Sequence, residues 1–191
     1  MLKYVAMLRG IGPGNPNMTS GKLSAFFEEL GFAGVQVVLG SGNIIFESPS
    51  SDEDALAERI EKALPQKLGF SRSVILRSES ALQRLIALDP FKGIEQDHNK
   101  TAYLLITFFR HPPAGSFVLP SAPEGKPYAL LGKADGAVYG SVHLITGKAP
   151  DYMNWLEKQF GKDITSRTPK TIRLILSRMS KNVAAGNPKR T

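Results

Sequence analysis

Between residues 4 and 76 the apolar residues switch repeatedly between strand and helix spacing, and this order most restricts what the chain can fold into. Tyr4-Val5-Ala6-Met7-Leu8 is continuously apolar, as a strand buried on both faces should be. Thr19 or Ser20 then caps a helix carrying Leu23, Phe26, Phe27 and Leu30, which Gly31 ends. Val35-Gln36-Val37-Val38-Leu39 and Ile44-Ile45-Phe46 read as strands joined across a Ser41-Gly42-Asn43 turn. Ser50 or Ser51 opens a helix with Leu56, Ile60, Leu64 and Leu68, and Ser73-Val74-Ile75-Leu76 closes the series as a strand. Strand, helix, strand, strand, helix, strand is the split βαβ order of ferredoxin-like folds, in which the first and third strands are central.

The rest of the chain is similar in kind and less regular. Ser78 or Ser80 starts a short helix with Leu82, Leu85 and Leu88, and a polar connection through Asp97-His98-Asn99-Lys100 leads to a strand over residues 102–109. The Pro-rich run 111–127 reads as loop, followed by short strands near 128–131, 137–139 and 142–145. Asp151 is placed to cap a helix holding Tyr152, Trp155, Leu156 and Phe160, which Gly161 stops. A last helix starts at Pro169 behind Thr168, with Ile172, Ile175, Leu176 and Met179 on one face and Lys170, Arg173, Ser177 and Lys181 on the other. The predicted architecture is α+β, two packed ferredoxin-like subdomains over residues 1–77 and 78–183, with a mobile basic tail at 184–191.

Charge is informative once it is located. Residues 1–161 hold 16 Lys and Arg against 16 Asp and Glu, whereas residues 162–191 hold 8 basic residues against Asp163 alone, so the net +7 belongs to the last thirty residues. A concentrated basic segment attracts anions, be they phosphate ligands, nucleic acid or acidic protein surfaces, and a solvated helix with a basic tail is the plain alternative. The chain has no cysteine, which excludes disulfides and thiolate chemistry. No stretch reaches the roughly 18 apolar residues of a membrane helix, and a cytoplasmic location without membrane partners is expected.

Three constellations suit binding. Arg9 and Gly10-Ile11-Gly12-Pro13-Gly14-Asn15 follow a strand and precede a helix, but Asn15 stands where a dinucleotide fingerprint needs its third Gly and Pro13 removes an N–H. The looser reading is an anion-binding concavity of Arg9, Gly10, Gly12 and Asn15; the plain one is a tight connection. Ser41 and Asn43 flank Gly42 at a turn, and join Arg9 if the turn lies at the same end of the sheet. If the second strand begins where the first ends, the turn falls at the opposite edge. Thr165, Ser166, Arg167 and Thr168 bring three hydroxyls and a guanidinium to a helix start, which suits an oxyanion or serves only as a cap.

Catalytic signatures are lacking. His98, His111 and His143 have no metal-ligand spacing, and Gly40-Ser41-Gly42 is too short for a nucleophile elbow. Tyr4 and Phe46 are the only residues placed to stack bases as RNA-binding sheets of this class do.

Leu8-Arg9-Gly10-Ile11 with a Gly-containing loop and Met18, Leu30-Gly31-Phe32, Val35, and Ser41-Gly42-Asn43 with Phe46 together resemble the bacterial domain-of-unknown-function family 1697. Thr165, Arg167 and Thr171 match that family's Thr-x-Arg-Asn-Trp-x-Thr segment, while Thr168 and Pro169 replace its Asn and Trp, and Gly12-Pro13 departs from its usual Asn-Val. The resemblance implies a pair of ferredoxin-like α+β subdomains and no established biochemistry. The residues favour binding of an anionic, phosphate- or carboxylate-bearing small molecule through Arg9, its Gly loop and Arg167, with no cofactor. The alternatives are nucleic-acid or protein binding through Lys170, Arg173 and Lys181 of the last helix, and an enzyme whose residues follow no motif.

Overall fold

The structure is a computed structural model that describes residues 1–10, 16–40, 42–94, 102–113, 118–119, 121–134, 136–144 and 151–181. Gly12, Asn15, Ser41, His98 and the segment 184–191 lie outside the described residues. Those described form eight strands and five helices, and the strands make two four-stranded antiparallel sheets. The chain divides into two units, residues 1–83 with 172–191, and residues 84–171. Among the described residues no helix is long and apolar enough to cross a membrane.

The first unit follows the predicted order: β1 (Leu2–Leu8), α1 (Ser20–Glu29), β2 (Ala33–Val38), β3 (Asn43–Ser48), α2 (Glu53–Leu68) and β4 (Val74–Ser78), then α3 (Glu79–Ala87) across the boundary. The sheet order is β2-β3-β1-β4, so β1 and β3 are central. Alternation divides β1 between two faces. Tyr4, Ala6 and Leu8 join Ile44, Phe46, Val74 and Leu76 against Leu23, Phe26 and Phe27 of α1 and Leu56, Ile60 and Leu64 of α2. Val5, Met7, Ile45 and Ile75, on the other face, are buried as well, which explains a run with no polar residue. Tyr4 and Phe46 stack inside this core and are 2% and 0% exposed, so neither can receive a base.

Caps fix the helix starts. Thr19 accepts from Lys22 N at the head of α1. Asp52, rather than Ser50 or Ser51, accepts from Ala55 N at the head of α2, and Ser50 Oγ instead holds Asp52 N. Gly69 ends α2 in the left-handed conformation.

The second unit holds β5 (Ala102–Phe109), β6 (Tyr128–Ala134), β7 (Ala137–His143), α4 (Tyr152–Phe160) and β8 (Ile164–Arg167), in sheet order β6-β7-β5-β8. Counted from the first strand of each unit, both sheets run second, third, first, fourth. Two predictions change here. The short strands expected at 137–139 and 142–145 are one strand, because the β7 ladder to β5 continues through Gly140 and Ser141. Residues 164–167, read as the approach to a helix, pair with β5 as β8. The core of this unit joins Phe109, Tyr128, Leu130, Val138 and Val142 to Tyr152 and Leu156 of α4.

Helix α5 (Pro169–Lys181) starts in the second unit, and from Ile172 it belongs to the first, not to the 78–183 segment expected from the sequence. Ile172, Ile175 and Met179 are each 0% exposed. Burial contributes about 1.5–3 kcal/mol per side chain of this size. Lys3, on the β1 face opposite the α1 and α2 core, donates to the Met179 carbonyl and ties down the last turn.

Candidate anion-binding site

The site is built by strand register. β1 runs antiparallel to β3 with Met7 opposite Asn43, and Leu8 N donates to Gly42 O at 2.8 Å. The β2–β3 turn therefore lies at the end of β1, beside Arg9, which reverses the expectation that it sits at the opposite edge. The reason is topological: a strand–helix–strand connection makes β1 and β2 run the same way, so both end at one side of the sheet. β4 starts at that side too, with Leu8 opposite Val74.

This register also brings in Arg72, a residue that the sequence reading did not single out. Its Nε lies 3.4 Å from where a Cβ on Gly10 would stand, and Gly10 has φ +64°. Among the described residues the Arg72 guanidinium meets uncharged groups, the Ser71 carbonyl at 2.8 Å and the Phe70 ring at 5.9 Å. Arg9 is half-buried, and Gly10 and Arg72 are exposed. A third cation stands nearby: Lys22 Nζ donates to Asn17 Oδ1 at 2.8 Å, and Asn17 Nδ2 lies 3.9 Å from the Cβ position of Gly69. Gly69 is three residues before Arg72 in the same connection.

Asn43 is fully buried, and its Nδ2 donates to the Val38 carbonyl at 3.0 Å, closing the turn from inside. Leu39, just before the tip, holds φ +58° with half its surface exposed. Gly12, Asn15 and Ser41, placed by sequence in the same neighbourhood, lie outside the described residues.

Thr165, Ser166, Arg167 and Thr168 belong to the second unit, and strand alternation separates them. Thr165 and Arg167 share a face, since they pair with Phe108 and Ile106, and Arg167 donates to Thr165 Oγ1 at 2.7 Å and to Ser166 O at 2.8 Å. Burial pushes the Arg167 guanidinium down to about 10, leaving it cationic at neutral pH. Ser166 pairs with Thr107 on the opposite face; the two hydroxyls are 2.7 Å apart, and Ser166 donates to Met153 Sδ at 3.1 Å. Thr168 caps α5, accepting from Thr171 N at 3.2 Å. Three hydroxyls and a guanidinium therefore do not face one point. Lys170, Arg173 and Lys181 are exposed on α5 and Arg178 extends their face. His111 and His143 are exposed, and the described residues contain no group of His, Asp and Glu fit to hold a metal.

The family model that matches the chain is described as protein of unknown function (DUF1697) and spans residues 1–128. Among curated proteins nothing matches. A solved structure, that of the conserved bacterial protein SP0830 from Streptococcus pneumoniae, is similar over 93% of this chain and 98% of that one, with a TM-score of 0.66 at 22% identity. At that identity the likeness speaks for the fold.

Proposed function

The chain belongs to the DUF1697 family of proteins of unknown function, and from that premise we propose that it binds a phosphate- or carboxylate-bearing small molecule at the β1 end of the first sheet. The observation that carries this reading is the register that sets Leu8 N on Gly42 O and Arg72 Nε beside Gly10, because it collects three connections and two arginines at one sheet end. Guanidinium groups bind oxyanions through paired, charge-assisted hydrogen bonds, and a glycine backbone lets the ligand approach. Arg9 and Arg72 supply the charge, Gly10 the close approach, Asn43 the fixed turn, and Lys22 a further cation at the rim. We further infer that both units are ferredoxin-like, a reading supported by their common strand order and antiparallel pairing.

Thermal-shift and calorimetric titration with inorganic phosphate, nucleotides, sugar phosphates and di- and tricarboxylates test the binding. A ligand at a hundredfold its Kd stabilises the wild type by about 2.7 kcal/mol. Arg9→Ala and Arg72→Ala should each remove most of that gain. If no anion stabilises the wild type more than these variants, the reading fails. Nucleic-acid binding through α5 differs in its response: it would survive both substitutions, fall with salt at a slope of about −2 for three phosphate contacts to a single strand, and vanish when Lys170, Arg173 and Lys181 are replaced together.

A further inference from the structure

The second unit carries a separate cavity of about 450 Å³ between its sheet and the start of α4. Tyr103, Leu105, Val142 and Met153 give it apolar walls, and Asp151 and Asn154 are its polar residues. Its volume falls in the range of small-molecule sites, which join apolar walls to a few polar groups. Tyr103 and Val142 are register partners, so the cavity floor is sheet.

Two features select the occupant. Asp151 stands at the N-cap position of α4, yet its side chain makes no capping bond, and it has no ion-pair partner among the described residues. Tyr103 is 43% exposed and stacks on no other described ring. A carboxylate that neither caps its helix nor pairs with a base among the described residues attracts a cation, and the face of an aromatic ring does the same. The free N–H groups at the start of α4 would welcome an anion, but the Asp151 carboxylate at that same helix end opposes it.

We propose that this cavity binds a small organic cation, an amine carried on an aromatic or branched aliphatic body, with the body against Leu105, Val142 and Met153 and the ammonium between Asp151 and the Tyr103 ring. Anion binding at the β1 end of the first sheet is chemically opposite and rests on other residues, so the two stand or fall apart.

Benzylamine, benzyl alcohol and benzoate share one body and differ in charge. Their binding to the whole chain can be followed by ligand-observed NMR and by fluorescence of Trp155, the only Trp, whose ring is 6.1 Å from that of Tyr152 in the cavity wall. The expected order is benzylamine tightest, by about fivefold over benzyl alcohol, as one exposed charge pair gives, with benzoate weakest. Asp151→Asn, at an exposed position where the side chain makes no capping bond, should bring benzylamine and benzyl alcohol to equal affinity, and Tyr103→Ala should weaken benzylamine. Arg9→Ala should leave benzylamine and benzyl alcohol unchanged, and it removes any benzoate held at the β1 end of the first sheet. Equal binding of the three probes to Arg9→Ala, a preference for benzoate that persists in that variant, binding of none, or an unchanged benzylamine affinity in Asp151→Asn would each overturn the assignment.

Discussion

A Cβ placed on Gly140 would stand 2.7 Å from the hydroxyl of Tyr152 and 2.4 Å from the carbonyl oxygen of Ala129. Gly140 lies inside β7, opposite Leu105 of β5 and Leu130 of β6, so the strand cannot shift away without breaking ladders on both sides. Gly140→Ala should therefore cost about 3 kcal/mol, the upper part of the range for overpacking. Gly132→Ala makes a useful contrast. Its Cβ would lie 2.1 Å from the Tyr139 hydroxyl, but that is the far end of a half-exposed side chain, held edge-on against Phe91 at 5.5 Å. That ring can swing aside at a cost of about 1 kcal/mol. Urea unfolding of both variants checks the ranking, and equal costs would contradict it.

Asn43→Ala separates holding a turn from binding a ligand. The fully buried amide donates to Val38 O, and truncation leaves that carbonyl short of a donor inside the protein. The loss should be about 1–3 kcal/mol of stability with no ligand present. A lowered denaturant midpoint at unchanged slope is the expected result. Unchanged stability would assign Asn43 to the ligand alone.

Much of the first unit was legible because its local signals agree with its tertiary packing. Tyr4 to Leu8, the helix face of Leu23, Phe26 and Phe27, and the stop at Gly31 all fall where the residues indicate. The candidate site was half legible. Arg9 and Gly10 draw notice by their chemistry, whereas Arg72 sits in a bland Ser-Arg-Ser connection and matters because β4 starts beside the end of β1. That neighbour relation follows from pairing direction, a long-range property that no local window carries, and it could have been found by drawing the antiparallel sheet. The strand β8 was missed for a related reason. Its four residues are polar after Ile164, and what makes them a strand is the waiting edge of β5.

Lys3→Met should loosen the end of α5 and little else. The ammonium holds the Met179 carbonyl, one of the last-turn groups that lack a partner within the helix. Its removal should cost about 1 kcal/mol locally, read as roughly fivefold faster amide exchange in the last turn of α5, with β1 amides unchanged. Exchange rising equally in β1 and α5 would mean that Lys3 supports the whole unit.

Tyr152→Phe should be harmless at neutral pH and protective in alkali. The hydroxyl is buried and makes no hydrogen bond of normal geometry, so deleting it removes a desolvated polar group and should leave stability level or raised by about 1 kcal/mol. Burial pushes the phenol from 10.0 up to about 12, an effect that Thr107 partly offsets. The folded state therefore holds this proton more tightly than the unfolded chain does. Below pH 10 both states are protonated and the full stability is present; between pH 10 and 12 the unfolded chain ionises first, and stability drains away. Wild type should fall behind Tyr152→Phe by about 1.4 kcal/mol at pH 11 and by at most about 2.7 kcal/mol above pH 12. Lysine, arginine and the other tyrosine titrations cancel in the difference between the two proteins, so their unfolding free energies measured from pH 8 to 12 isolate this one group. Parallel curves across that range would show that Tyr152 ionises as readily in the folded protein as in the unfolded chain.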